Sequence, residues 1–171
     1  ELLLGPFLAV LMGLSLVTVP EAARVLRRAP HRLGHFCLLL GGGQAVAALL
    51  WGGALLLMPE RLGDLVLGGV WHSAAELIAP VTLSVAGAGL GTGAAAGLRA
   101  LGAARRSLRS QLFASACYVG GGLGGAAVAG TVGSAWGVAA ATVSGSAVWW
   151  LHLRSALRER HHNSHPEVRT S

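Results

Sequence analysis

The alternation of apolar and charged segments along the chain predicts five membrane-spanning helices. The longest uncharged run extends from Ser110 to Leu153 and contains no Asp, Glu, Lys or Arg. One helix needs about 20 apolar residues to cross a hydrocarbon core roughly 30 Å thick, so this run has the length of two crossings, and the small-residue patch 130–134 is the predicted turn between them. The predicted spans are 2–19, 33–58, 71–98, 111–129 and 133–153.

The arginines predict how these spans are oriented. All 13 basic residues are Arg, and all but Arg61 lie in the segments that follow the first, third and fifth spans. Basic residues close to span ends are retained in the cytoplasm. The sequence therefore predicts an all-α, polytopic helix bundle in the cytoplasmic membrane, with the N-terminus outside, the C-terminus in the cytoplasm and the lipid bilayer as its surroundings.

Two regions follow from this pattern. Residues 1–155 form the predicted transmembrane bundle, and residues 156–171 form a basic cytoplasmic tail that is expected to be disordered. The chain begins at Glu1 with no basic segment ahead of its first apolar run, so that run is predicted to be a span rather than a signal peptide. An external start without an export signal is expected of a fragment whose earlier spans are missing.

Composition excludes several other classes of protein. Only 12% of the residues are charged, about half the share of ordinary soluble domains. The net charge of +6 does not indicate a nucleic-acid partner, because the arginines flank apolar runs instead of covering one face of a helix. Neither paired acids nor a Ser/His/Asp or Cys/His set appears, so no enzyme activity is predicted.

Several metal and cofactor motifs are weak on inspection. Cys37 and Cys117 have no short spacing and give neither a zinc site nor a disulfide framework. The histidines at 161, 162 and 165 lie in the predicted tail, where nothing preorganises a metal site. The segment 120–125 matches G-x-G-x-x-G, but it lies in a predicted span and not between a strand and a helix. No metal and no cofactor are therefore predicted.

Glycine pairs and prolines predict where helices pack closely or bend. Glycines four residues apart let helix backbones approach, and such a surface serves either static packing or the sliding of helices during transport. A proline inside a helix breaks or kinks it. The packing and hinge candidates are Pro20, Pro80, Gly87, Gly91, Gly121, Gly125, Gly133 and Gly137.

Polar residues inside spans are the candidates for function. His72 and Glu76 are four residues apart and share one helix face. They form either an ion pair at the membrane surface or, if buried, a proton- or ion-coupling pair. Gln44 is the strongly polar residue in the middle of the second span, where it is expected to bond a neighbouring helix or a sugar.

Three stretches resemble the C-terminal lobe of the multidrug/oligosaccharidyl-lipid/polysaccharide flippase superfamily, in its polysaccharide-export branch. These are Gly5-Pro6-Phe7 continuing to Pro20-Glu21, then Ala79-Pro80-Val81-Thr82 with the glycines that follow and Gly97-Leu98-Arg99, and finally Gly133-Ser134-Ala135-Trp136-Gly137. The resemblance implies a transporter that flips a polyprenyl-diphosphate-linked glycan by alternating access, together with a missing N-terminal lobe of the same protein.

The resemblance also implies roles for particular residues. Family cavities are generally cationic, whereas no Arg lies in the middle of a predicted span here. Phosphate contacts are therefore expected from the missing lobe or from Arg24 and Arg99 at loop edges. The expected substrate-cavity residues are Thr18, Gln44, His72, Glu76, Thr82 and Ser84.

Two alternatives remain open at this point. A drug/cation antiporter of the same superfamily needs an acid inside the membrane, for which Glu76 is the candidate. A small self-associating membrane scaffold needs only the glycine-rich helix faces.

Overall fold

A computed structural model describes residues 24, 32–59, 63 and 71–163, and this part of the chain is helical with short connections and no strands. Its helices are α1 (Leu33–Leu56), α2 (Trp71–Ala100) and α3 (Ala104–Asn163). The all-α prediction is confirmed for the described residues. All three helices contain stretches long and apolar enough to cross a membrane, which indicates a membrane protein. The predicted span 2–19 lies outside the described residues, so the number of spans and their orientation stay predictions.

Helix α3 is a hairpin of two arms. Its backbone leaves helical geometry at Ala129, with φ −141° and ψ 29°, and at Gly130, with φ 59° and ψ −139°. The positive φ of Gly130 is a conformation that residues with a Cβ rarely adopt. We call 104–128 the first arm and 131–163 the second arm. The predicted turn at 130–134 is thus shorter than expected, because Gly130 supplies the reversal and 131–134 are already helical.

Contacts between the arms show that they run antiparallel. Gly125 lies against Gly133, Gly121 against Gly137, and Gly145 against Ala114. Partner numbers rise along one arm as they fall along the other, as in two helices folded back on each other. Glycine pairs at successive turns leave no side chain between the backbones, which lets the arms approach closely. We call the surface formed by Gly121, Gly125, Gly133 and Gly137 the hairpin seam.

Helix α2 lies between α1 and the second arm. A Cβ added at Gly41 of α1 would lie 2.9 Å from the carbonyl oxygen of Leu90, and a Cβ at Gly52 would collide with the side chain of Thr82, so α1 and α2 are antiparallel. On the other side, Gly87 lies against Thr142 and Gly97 against Leu153, so α2 and the second arm run parallel. The first arm supplies the return that makes this parallel pairing possible.

The larger of two buried clusters among the described residues lies at one end of the bundle. The start of α1, the end of α2 and the later part of the second arm meet there, and the buried residues are Leu33, Cys37, Ala94, Ala95, Ala96, Leu98, Trp149, Leu153 and Ala156. Arg32 just before α1, Arg99 near the end of α2 and the arginines near both ends of α3 therefore lie towards the same end. Elsewhere large apolar side chains face outwards, as for Leu39 and Leu50, each 70% exposed, which suits contact with lipid.

The helix ends differ from the predicted spans mainly in α3. The first arm begins at Ala104 and the second arm continues to Asn163, whereas the spans were predicted at 111–129 and 133–153. The extra turns carry an ion pair, in which Arg106 Nη2 lies 2.7 Å from Glu159 Oε1. Helix therefore extends into the segment predicted as a disordered tail, up to Asn163, and residues 164–171 lie outside the described residues.

Candidate ligand groove

The candidate site with the most lining residues is a groove bounded by α2 and both arms of α3. Its volume is about 470 Å³, within the range of roughly 300–1,000 Å³ that small-molecule sites occupy. The residues that line it are Gly87, Ala88, Gly91, Thr92, Ala95, Ala96, Arg99, Gln111, Ala114, Ser115, Tyr118, Val119, Ala141, Thr142, Gly145, Ser146 and Trp149.

A second cavity adjoins the groove at the basic end of the bundle. It measures about 550 Å³ and is lined by Arg99, Gly102, Ala104, Ser107, Leu108 and Gln111. We call it the corner cavity, because it lies where α2 turns into the first arm. Arg99 and Gln111 belong to both cavities, so the two adjoin at these side chains.

The groove exists because the second arm contacts α2 more closely than the first arm does. Trp150 Nε1 donates a hydrogen bond to the carbonyl oxygen of Leu90 at 3.1 Å, and Gly87 admits the backbone of Thr142. The first arm is held against the second arm by the hairpin seam instead. The side chains on the first arm that point towards α2 are therefore separated from it by an open space. On the side of the second arm this space is bordered by Trp149, which is 5% exposed.

Several hydroxyl groups in the groove already donate hydrogen bonds within the protein. Thr142 donates to the carbonyl oxygen of Ala139 at 2.9 Å, and Ser146 donates to that of Val143 at 2.8 Å. Each hydroxyl has a single proton to give. Thr142 and Ser146 therefore have no donor left for a ligand.

The unused donors face the groove from the first arm and from the end of α2. Arg99, Gln111, Ser115 and Tyr118 are exposed and have no side-chain hydrogen bond to any described residue. None of the described lining residues is Asp or Glu. A groove with one guanidinium, several free donors and no carboxylate favours an anion over a cation.

A buried polar pair connects α1 to the groove wall. Thr92 Oγ1 lies 2.7 Å from both Gln44 Oε1 and the carbonyl oxygen of Gly89, but one hydroxyl proton serves only one acceptor fully. Gln44 is 6% exposed, and its Nε2 has no partner among the described residues. If the amide of Gln44 is flipped so that its oxygen and nitrogen exchange places, its Nε2 donates to Thr92 Oγ1. The hydroxyl proton of Thr92 is then donated to the carbonyl oxygen of Gly89. Gln44 is thus a contact between helices, not a groove residue.

A polar contact also holds the base of the hairpin together. Ser110 Oγ and His152 Nδ1 are 2.6 Å apart, and Ser110 is fully buried. Neither this pair nor the Arg106–Glu159 ion pair was predicted from the sequence. The available signal was their position on either side of the turn, since residues at similar distances from a helical turn face each other in antiparallel arms.

The predicted cavity residues are dispersed in the structure. Glu76 is exposed, and Thr82 and Ser84 are half-buried on α2, and none of these three lines the groove. His72 belongs to α2, but its side chain is not described, and Thr18 and Pro20 lie outside the described residues. Pro80 is buried within α2.

The other candidates divide between the groove and the helix contacts. Arg99 lines the groove and the corner cavity, whereas Arg24 is exposed and lines neither. Gly87 and Gly91 lie in the groove wall, and the remaining four candidate glycines form the hairpin seam.

Sequence analysis did not identify the polar groove residues of α3. Gln111, Ser115 and Tyr118 follow a spacing of four and three, and Thr142 and Ser146 a spacing of four. Such spacings place each set on one helix face. This periodicity, read within an uncharged run, was the signal that could have found them.

Comparison with known proteins adds no relative to this picture: no family model, curated protein or solved structure matches the chain.

Proposed function

We propose that the chain is part of a membrane transporter that moves a polyprenyl-diphosphate-linked oligosaccharide across the cytoplasmic membrane by alternating access. The observation that carries this proposal is the groove that begins at Arg99, with unused donors and no acidic residue among its described lining. A diphosphate needs donors and positive charge, and its hydrocarbon chain needs apolar surface. Both are present along one groove.

Arg99 is the residue best suited to contact phosphate. Its guanidinium carries a permanent charge and can donate two parallel hydrogen bonds to phosphate oxygens. Gln111 is the neighbouring donor shared by both cavities. A ligand phosphate at this point lies at the basic end of the bundle, which the arginine distribution assigns to the cytoplasmic side.

The helix contacts suit a lobe that moves as a unit. A sugar-phosphate group cannot cross hydrocarbon unaided, so such carriers rock one lobe against another around a central site. The hairpin seam and the close contacts of α2 with α1 and with the second arm would keep these helices together during such a movement. The second lobe of this carrier is proposed to belong to the same protein.

The rival functions have less support among the described residues. A cation antiporter needs a buried acid, but Glu76 is exposed and lies outside the groove. A self-associating scaffold would use open glycine faces such as Gly120 and Gly124, where an added Cβ meets nothing within 4 Å. Open glycines are equally compatible with lipid contact.

The test is transport by the full gene product in proteoliposomes. A fluorescent polyprenyl-diphosphate oligosaccharide is placed in both leaflets, and its movement is followed by quenching from outside. Arg99→Gln is expected to slow flipping about tenfold, since hydrogen bonds to a charged group contribute about 1.5–3 kcal/mol and about 1.4 kcal/mol corresponds to a factor of ten.

Two control variants separate the explanations. Arg158→Gln removes an exposed arginine that does not line the groove, and it is expected to leave the rate unchanged. Glu76→Gln is expected to be silent as well, whereas loss of proton-dependent drug efflux in that variant favours the antiporter. Absence of flipping by the unmodified protein would reject the proposal.

A further inference from the structure

The groove has the dimensions of a site for one lipid in a single leaflet. Its wall on α2 runs from Gly87 to Arg99, which is about 18 Å at 1.5 Å per residue. Half of the hydrocarbon core measures about 15 Å. A chain that follows the groove from Arg99 therefore ends close to the middle of the bilayer.

The two ends of the groove differ in chemistry. Towards Gly87 the described walls are mostly alanines, glycines and Val119, with Tyr118 at the rim. Thr142 also lines this end, but its hydroxyl already donates to the carbonyl oxygen of Ala139. Towards Arg99 the groove adjoins the corner cavity, where Ser107 and Gln111 are the other polar residues. The first arm also begins there, and the N-terminus of a helix adds positive potential. The arrangement matches an anionic headgroup with one hydrocarbon chain.

The groove is open along its side. Tyr118 and Val119 of the first arm are 53% and 58% exposed, and the neighbouring outer face of that arm carries exposed apolar side chains such as Leu112 and Leu123. A molecule already in the bilayer can therefore enter without passing through water.

We propose that an anionic membrane phospholipid, such as phosphatidylglycerol, occupies this groove, with its phosphate at Arg99 and one acyl chain along the first arm. This goes beyond the proposed function, because lipid occupancy requires no transport. It also assigns the groove a mode of regulation, since a phospholipid and a lipid-linked diphosphate would compete for the same guanidinium. Anionic lipids are abundant in the cytoplasmic leaflet, where they attract basic residues close to the membrane surface.

The experiment counts bound lipids by native mass spectrometry. The full chain is purified in detergent, freed of lipid as far as its fold allows, and titrated with phosphatidylglycerol or with phosphatidylcholine of the same acyl chains. One phosphatidylglycerol is expected to bind at least tenfold more tightly than phosphatidylcholine. Arg99→Gln should remove this preference, because it removes the charge while keeping a hydrogen-bonding side chain.

Matched variants separate the groove from general attraction to a basic surface. Arg154→Gln removes an exposed arginine of the second arm that lines neither cavity, and it should leave the preference intact. Ser115→Trp places a bulky ring in the groove and should weaken binding of both lipids at this site, with Ser115→Ala as its control. Retained helical circular dichroism and an unchanged elution volume show that each variant is folded.

Each remaining outcome decides the matter. Equal binding of the two phospholipids, or an equal loss in the Arg99 and Arg154 variants, would mean an unspecific lipid shell and would overturn the inference. Displacement of phosphatidylglycerol by soluble glycerol phosphate at similar concentration would identify a free phosphate site and would overturn it too. Specific lipid binding without flipping would reject the proposed function and leave this inference standing.

Discussion

The two sides of the second arm of α3 show how similar small residues produce different surfaces. On one side, Gly133 and Gly137 meet Gly125 and Gly121 of the first arm, and the backbones touch. On the side towards α2, Ser146 borders the groove, and across it stand the side chains of Ser115 and Tyr118 of the first arm. At the hairpin seam the backbones of the two arms come up against each other, so the glycines close the interface. At the groove the first arm stands away from α2, so small residues there leave space.

This comparison matters for function because the close helix contacts determine where the walls of the groove stand. The hairpin seam holds the first arm at a set distance from the second arm, and the contacts of Gly87 and Trp150 hold the second arm against α2. The groove is the space that remains. Substitutions at these helix contacts are therefore expected to lower stability and to alter the shape of the groove. The effect should be larger where the two helices lie closer together.

The largest effect is expected from Gly137→Leu in the hairpin seam. Any Cβ at this position collides with the carbonyl oxygen of Gly121, so the arms must separate. Overpacking of a close interface costs about 1–3 kcal/mol, and we expect the upper end of this range, measured as a lower midpoint of thermal unfolding in detergent. The control is Gly124→Leu on the first arm, where an added Cβ meets nothing within 4 Å. Equal destabilisation by both variants would contradict the seam.

A smaller loss is expected at the contact between α1 and α2. In Gly41→Ala the new methyl group would lie 2.9 Å from the carbonyl oxygen of Leu90, and a backbone atom cannot move aside as a flexible side chain can. We expect about 2 kcal/mol of destabilisation. Gly43→Ala is the matched control in the same helix, since nothing lies within 4 Å of its Cβ position, and it should be neutral or slightly stabilising. Thermal unfolding of both variants in the same detergent distinguishes these outcomes.

Removing one hydrogen bond between the second arm and α2 should have a moderate effect. Trp150→Phe keeps an aromatic ring but deletes the donor to Leu90, and a hydrogen bond of this kind contributes about 1 kcal/mol. Chemical denaturation monitored by circular dichroism measures the change. Trp136→Phe serves as the control, because Trp136 is 49% exposed and has no side-chain hydrogen bond to a described residue. A larger loss in the control would show that this bond does not hold the groove wall.

The smallest effect is expected from Glu159→Gln. The variant breaks the ion pair between Glu159 and Arg106. The side chain of Arg106 is 33% exposed and that of Glu159 is 61% exposed. Exposed ion pairs contribute about 0.2–1 kcal/mol and are screened by salt. The difference in unfolding free energy from the unmodified protein should shrink as ionic strength rises. A difference that does not respond to salt would assign Glu159 a role other than this pair.

Part of the architecture could be read from residue order alone. The bounds of α1 and α2 follow the apolar runs closely, because helices in a membrane must be about as long as the hydrocarbon core is thick. The hairpin was also predictable, since an uncharged run twice that length needs a turn. Arg24 and Arg99, both at loop edges, were phosphate candidates only through the resemblance to flippases, and their role stays a prediction.

The arrangement of helices around α2 was not predictable in the same way. Gly87 and Gly121 look alike in sequence, yet one lines the groove and the other touches the opposite arm. Gln44 was expected to bond either a neighbouring helix or a sugar, and only the structure shows that its partner is Thr92 of α2. Which neighbour a small or polar residue meets depends on helix rotation, and no single run of residues specifies that angle.

Sequence alone determined the helical class, the lengths of α1 and α2 and the concentration of arginines near helix ends, because these properties depend on local hydrophobicity and on the thickness of a membrane. Only the tertiary structure decided that α2 is central, that the glycines of α3 close the hairpin, and that Arg99, Gln111, Ser115 and Tyr118 face one groove. These features depend on which helix faces meet. That choice is made by packing between residues far apart in the chain.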